Sequence, residues 1–245
     1  MTNLDQKCPG GEAAHFTKRN KKCALHDRIM GKERIVTVPN PDKEGHHQDR
    51  RKPGLYPSHP ARIIFSGRSG CGKGVAAKNL LARASPPFER IVVYHYDVDT
   101  LEWDDTEPSD VINELPDDPS QFWDREEKNL LIMDEIPWET LPKADRMKAD
   151  RCLQYVASHY NLTVYVLHQN FVSIPTPIRR AADWWNLWGS VDNVSVRDVS
   201  SKTGHDFRQL LQLTNSKFDC VTFDFSGEGP PLRLNMFDPI EDQGE

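Results

Sequence analysis

Long apolar runs are missing from this 245-residue sequence, and none approaches the roughly 18 residues that argue for a membrane-spanning helix. The N-terminal stretch MTNLDQKCPGGEAAHF also lacks the apolar core of a secretory leader. The expectation is therefore a soluble protein that works where it is made. Cysteine is scarce: five residues at irregular spacing form no disulfide framework and point to a reducing compartment. Internal repeats and low-complexity tracts are absent, which leaves an ordinary globular body rather than a repetitive array. An excess of positive charge is missing too. The net charge of −6, taken whole, speaks against a nucleic-acid binder.

The charge is unevenly spread, however. Residues 1–57 hold 12 Lys and Arg against 7 Asp and Glu, whereas the remainder holds 19 against 30. Within that remainder, Asp97 to Glu127 carries 13 acids and a single base, Arg125. A basic arm on an acidic body can still engage DNA or RNA, through the arm or through a pore lining.

Hydrophobic residues at 37% and charged residues at 28% suffice for one buried core, with polar appendages. Residues 1–57 show no sustained apolar period and read as a flexible basic arm in front of a body spanning 58–245. Arg34–Val38 (RIVTV) is a candidate edge strand within the arm, and GLYPSHP reads as the linker into the body. Beyond it, short apolar runs at Ala61–Ser66, Arg90–Tyr96, Leu130–Met133 and Thr163–Leu167 have strand length. They suit strands buried on both faces of a parallel sheet. Helical stretches at Lys73–Ala84 and about Pro142–Ser158 fall between them. This alternation predicts an α/β fold with a mostly parallel central sheet flanked by helices. The acidic stretch reads as an irregular excursion with a short helix near Val111–Leu115. Further strands are expected at Trp184–Trp188, Cys220–Phe225 and Leu232–Met236, with a helix at Asp206–Leu213.

The chemistry concentrates in two motifs. Gly67 to Gly74 reads GRSGCGKG, between the strand ARIIFS and the helix VAAKNLLARA. A phosphate cradle needs a loop that tolerates positive φ and a helix N-terminus beyond it. Gly67, Gly70 and Gly72 supply the loop, and Cys71 lies within it. Lys73 supplies positive charge to the β- and γ-phosphates of ATP. Gly74 departs from the pattern, which has Ser or Thr there to ligate Mg2+. Three outcomes stay open: a water replaces the hydroxyl, the metal binds more weakly, or the site has decayed. The second motif, LLIMDE, follows Lys73 by 61 residues at Asp134. It sets Asp134 at a strand tip to hold Mg2+ and Glu135 beside it to polarise an attacking water.

Two later pieces carry weaker signals. Thr163–Leu167 runs into His168-Gln169-Asn170. If that strand lies between the motif strands, Gln169 reaches the γ-phosphate region; otherwise it is a polar loop residue. Arg179 and Arg180 follow a proline-bounded turn, where one could project as an arginine finger or simply face solvent.

In this order, a P-loop, LLIMDE, a Gln-containing strand end, IPTPIRR and DWWNLW resemble the genome-packaging ATPases of double-stranded DNA viruses. These belong to the FtsK–HerA superfamily and include enzymes of poxviruses, other large nucleocytoplasmic viruses, virophages and Polinton-like elements. The resemblance covers roughly Ala61–Trp188. It implies a RecA-like core with an extra strand between the motif strands, forming a homo-oligomeric ring that moves double-stranded DNA towards a capsid or procapsid inside an infected cell. It also implies roles: Lys73 on phosphate, Asp134 on Mg2+, Glu135 as base, Gln169 as sensor and Arg179 as finger across a subunit boundary. Gly74 and His168 depart from that pattern, and the arm has no counterpart.

Lesser signals are weighed beside these. Cys8, His15, Cys23 and His26 could form a zinc site, although their spacing fits no standard pattern. The tryptophans Trp184, Trp185 and Trp188 read as core, and Lys143, Arg146, Lys148 and Arg151 as a solvated helix face. A small-molecule kinase and a non-hydrolysing assembly protein remain as alternatives to the motor.

Overall fold

The computed structural model describes residues 56–240 except 190–192 and 228. The expected arm, the strand at Arg34–Val38 and the Cys/His zinc set lie outside the described residues, apart from Tyr56 and Pro57. Tyr56 is buried, with its ring 5.4 Å from that of Phe237.

Nine strands form one sheet in the order β3-β2-β4-β5-β1-β6-β7-β8-β9. They are β1 Arg62–Ser66, β2 Arg90–Tyr94, β3 Asp110–Ile112, β4 Asn129–Asp134, β5 Leu162–His168, β6 Trp184–Trp188, β7 Cys220–Asp224, β8 Leu232–Leu234 and β9 Asp238–Pro239. The pairings from β3 to β6 are parallel, and those from β6 to β9 antiparallel. Every residue of β4 is buried, as are Leu162 to Leu167 of β5, as continuous apolar runs covered on both faces should be. Each fully buried Leu, Ile or Val there contributes about 1.5–3 kcal/mol.

The helices are α1 Lys73–Ala82, α2 Lys143–Arg151, α3 Thr176–Ala181, α4 Asn193–Thr203 and α5 Phe207–Leu210. α2 widens into a π-helical turn at Cys152–Val156 and ends at His159. Trp184, Trp185 and Trp188 are core residues. None of the helices is long and apolar enough to cross a membrane, among the described residues.

The helix expected near Val111–Leu115 is not formed. Asp110–Ile112 instead pairs with Val92–Tyr94 as a short edge strand. Three half-buried residues at a sheet edge carry no readable period, and β-branched Val111 and Ile112 suit a strand. The turn expected before Arg179 is helical, α3, with Pro177 in its first turn, where its fixed φ fits and its missing N–H costs nothing.

Candidate functional site

The sheet order decides the site, because it puts β5 between β1 and β4. The three strand ends are level: Ser66 lies opposite His168, and Asp134 opposite Leu167. The ends are also stitched together. Gly67 N donates to His168 O at 3.2 Å, and Glu135 N donates to Leu167 O at 3.0 Å. The loop after β1, the Asp-Glu pair after β4 and Gln169 after β5 therefore emerge at one edge of a parallel sheet, the edge where such folds bind ligands.

The glycines divide the work. Gly70 and Gly72 take φ of +69° and +104°, conformations that side chains resist. Gly67 is needed for a different reason: a Cβ there would lie 2.6 Å from Trp188 Cβ and 2.9 Å from Cys71 Sγ. Gly72 opens α1, whose N-terminus has no side-chain cap and no acid in its first turn. Its free N–H groups and positive dipole end are left to an anion. Cys71 is buried, and burial is the main cause that pushes its thiol pKa up. It packs the loop and is a poor thiolate.

Lys73 is buried, and its Nζ donates to Gly67 O at 2.8 Å and reaches Glu135 Oε1 at 3.2 Å. Glu135 can turn towards it because its own φ is +49°. That left-handed backbone costs a non-glycine residue about 1 kcal/mol or more. Asp134 is 2% exposed. Its Oδ2 accepts from Trp103 Nε1 at 2.9 Å, and Oδ1 has no hydrogen-bond partner among the described residues. Burial pushes the Asp134 carboxyl up to about 6, against the Trp103 hydrogen bond, with the negative charges of Glu102 and Glu135 adding to the rise. Among the described residues no three His, Cys, Asp or Glu side chains form a ready-made metal cluster. Mg2+ does not need one, since it is commonly held by one or two carboxylates, substrate phosphates and waters.

Gln169 is exposed at the apex of a tight turn, in which Asn170 N donates to His168 Nδ1 at 3.1 Å. His168, the departure from the family pattern, thus shapes the turn that presents Gln169. Arg179 sits differently from the finger expected of it. It is 7% exposed, donates from Nε to Ile174 O at 3.0 Å and from a terminal nitrogen to Thr176 Oγ1 at 3.2 Å, and ion-pairs with Asp198. Its guanidinium also lies 5.1 Å from the centre of the Phe171 ring. Its Nε and both terminal nitrogens are thus engaged within its own chain. Arg180, the next residue, is exposed.

Sequence reasoning passed over two contributors. Glu102 and Trp103 arrive from the acidic excursion, and only the density of acids there hinted at a role. The Thr214–Lys217 loop, with Gly189, lines a cleft against Arg68–Cys71; nothing in its sequence marks it.

No protein-family profile matches the chain, and no curated protein matches its sequence. Solved structures do match. The genome packaging NTPase B204 from Sulfolobus turreted icosahedral virus 2, in complex with sulfate, is 13% identical. The match covers 76% of this chain and 100% of that one, with a TM-score of 0.56. The same protein in complex with AMPPCP gives 12% identity, 75% and 100% coverage and a TM-score of 0.54. B204, the DNA-packaging ATPase from Sulfolobus turreted icosahedral virus, gives 13%, 76% and 100%, and 0.52. At such identities the likeness is one of fold: the chain shares with B204 a mostly parallel sheet flanked by helices.

Proposed function

We propose that this chain is an ATP-hydrolysing motor that translocates double-stranded DNA, packaging a viral genome into a capsid from within the infected cell. The observation that carries the reading is the Lys73–Glu135 pair at 3.2 Å, formed across a sheet edge where β5 separates the two motif strands. The ammonium that would cradle phosphate thus pairs with the carboxylate that would activate water. A bound triphosphate competes for Lys73, which releases Glu135 to accept a proton from water. Hydrolytic competence is thereby tied to occupancy.

Asp134 is the residue that would hold Mg2+, and its unpartnered Oδ1 on a buried side chain fits that task. When bound, the ion would offset the charge gathering on the phosphates. Gln169, exposed at the tip of β5, is placed to orient water or to register phosphate loss. B204, with the same fold, is described as a genome packaging NTPase and a DNA-packaging ATPase, which supports DNA as the partner here. A homo-oligomeric ring with a capsid or procapsid contact completes the proposal. In such a ring the exposed Arg180, rather than the buried Arg179 that the motif suggests, acts across a boundary.

One observation favours a second reading, a nucleotide-dependent scaffold that does not hydrolyse: Gly74 offers no hydroxyl for the metal. Phosphate release by the purified chain, with and without duplex DNA, separates the two. DNA-stimulated release supports the motor; tight ATP binding with no release at any Mg2+ concentration supports the scaffold.

A further inference from the structure

Position 74 lacks the oxygen that P-loops of this kind direct at the metal, and the chain brings another oxygen to the same place. A Cβ built on Gly74 would lie 3.5 Å from Glu102 Oε1, ordinary contact distance, so a carboxylate stands where a side chain from position 74 would reach. Glu102 comes from the excursion between β2 and β3, and that segment is fastened at Glu102 and just after it. Lys78, one turn further along α1, donates from Nζ to Glu102 O at 2.6 Å and ion-pairs with Asp105 Oδ1 at 2.6 Å. The same ammonium lies 5.3 Å from the centre of the Trp103 ring. Trp103 is 1% exposed and donates to Asp134 Oδ2. Glu102 is therefore held between the start of α1 and Asp134 rather than carried on an unattached loop.

Its carboxylate makes no hydrogen bond or ion pair among the described residues. Lys78 takes its peptide oxygen, not its side chain, and Lys73 is paired with Glu135. Asp134 adds a second unpartnered oxygen, Oδ1, on a side chain almost wholly buried. Two carboxylates with open oxygens, linked through Trp103, repel, and a small divalent cation with further oxygens from water and phosphate is the chemistry that relieves this.

We infer that Glu102 supplies the metal-binding oxygen that Gly74 lacks, so that the ion accompanying a nucleoside triphosphate is held by Glu102, Asp134 and the phosphates. This rests on the P-loop reading above. It turns the glycine from a sign of decay into half of an exchange: the hydroxyl is gone from α1, and a carboxylate has come from the β2–β3 excursion. A serine at 74 and a glutamate at 102 would then be alternatives at one site.

The test is metal binding rather than turnover. Mn2+ is titrated into the full chain saturated with AMPPCP, and free Mn2+ is read by electron paramagnetic resonance. AMPPCP affinity is measured separately in EDTA. Glu102→Gln is expected to weaken Mn2+ about tenfold or more, while AMPPCP in EDTA binds as well as before or tighter, because a negative charge near the phosphates has gone. Adding Gly74→Ser to Glu102→Gln should recover most of the lost Mn2+ affinity, whereas Gly74→Ser alone should change it less than threefold. Equal weakening of AMPPCP with and without metal would assign Glu102 a merely structural role and overturn the inference. Unchanged Mn2+ affinity in Glu102→Gln, with normal AMPPCP binding, would overturn it alone. A parent chain that binds no AMPPCP would overturn it together with the P-loop reading.

Discussion

Lys73, Asp134 and Glu135 do their work through charge, and each charge has a measurable consequence. Removing the ammonium in Lys73→Ala takes away the cation facing the β- and γ-phosphates. AMPPCP affinity should drop by about 10–100-fold, the worth of a hydrogen bond to a charged group; an unchanged dissociation constant by calorimetry would remove the P-loop reading. Glu135→Gln keeps the shape but cannot accept a proton, so nucleotide should still bind while phosphate release slows by about 100-fold or more. Turnover at the parent rate would reassign the base. Asp134 makes a prediction about pH. Its carboxyl is raised to about 6, so the folded, metal-free protein favours the neutral acid. Stability from this group is fully present below the ordinary aspartate range and is lost as pH rises through about 6. Asp134→Asn removes that loss. In EDTA without nucleotide, the variant should therefore melt a few degrees above the parent at pH 8, with the gap closing near pH 4. A gap independent of pH would contradict the burial argument.

Elements buried on both faces were legible, because apolar runs of strand length have little alternative. β1, β4, β5 and β6 lie within a residue or two of their expected bounds, and with them came the P-loop, LLIMDE and the condition placed on Gln169, that β5 lie between the motif strands. What was illegible depended on contacts distant in sequence. β3 is too short and too exposed to show a period. α4 is a polar helix with only Ser195 and Val199 buried. Glu102 meets Gly74 only because the excursion folds back over α1, and no local pattern encodes that. Arg179 shows the limit of motif transfer: the motif names the residue, but α3 buries it against Phe171, Ile174 and Asp198 of α4. Arg179→Met should accordingly destabilise the fold by about 1–3 kcal/mol, because Ile174 O and Thr176 Oγ1 lose their charged donor, while Asp198 keeps Lys202. Arg180→Ala should alter stability by less than about 0.5 kcal/mol and lower turnover in the assembled state. Denaturant midpoints and activity, measured side by side, check both, and the reverse pattern would return the finger to Arg179.

For the whole molecule, charge asymmetry sets the expectation. Residues 1–57 carry 12 bases against 7 acids, while the rest of the chain is strongly acidic. Deleting residues 1–55, which spares the buried Tyr56, should leave a folded, nucleotide-binding body whose DNA association is weaker, with a shallower dependence of log affinity on log salt, since fewer counterions are released. Equal affinity across a salt series, with and without the arm, would place DNA contact elsewhere on the body. The fold accommodates the motor reading, but only turnover coupled to DNA distinguishes it from nucleotide binding for assembly. The decisive measurement is Mg2+-dependent phosphate release by the full chain, titrated with duplex DNA, with Glu135→Gln as the matched control. The account predicts release that rises with added duplex and is nearly abolished in Glu135→Gln. Tight ATP binding with no phosphate released at any Mg2+ or DNA concentration would contradict it.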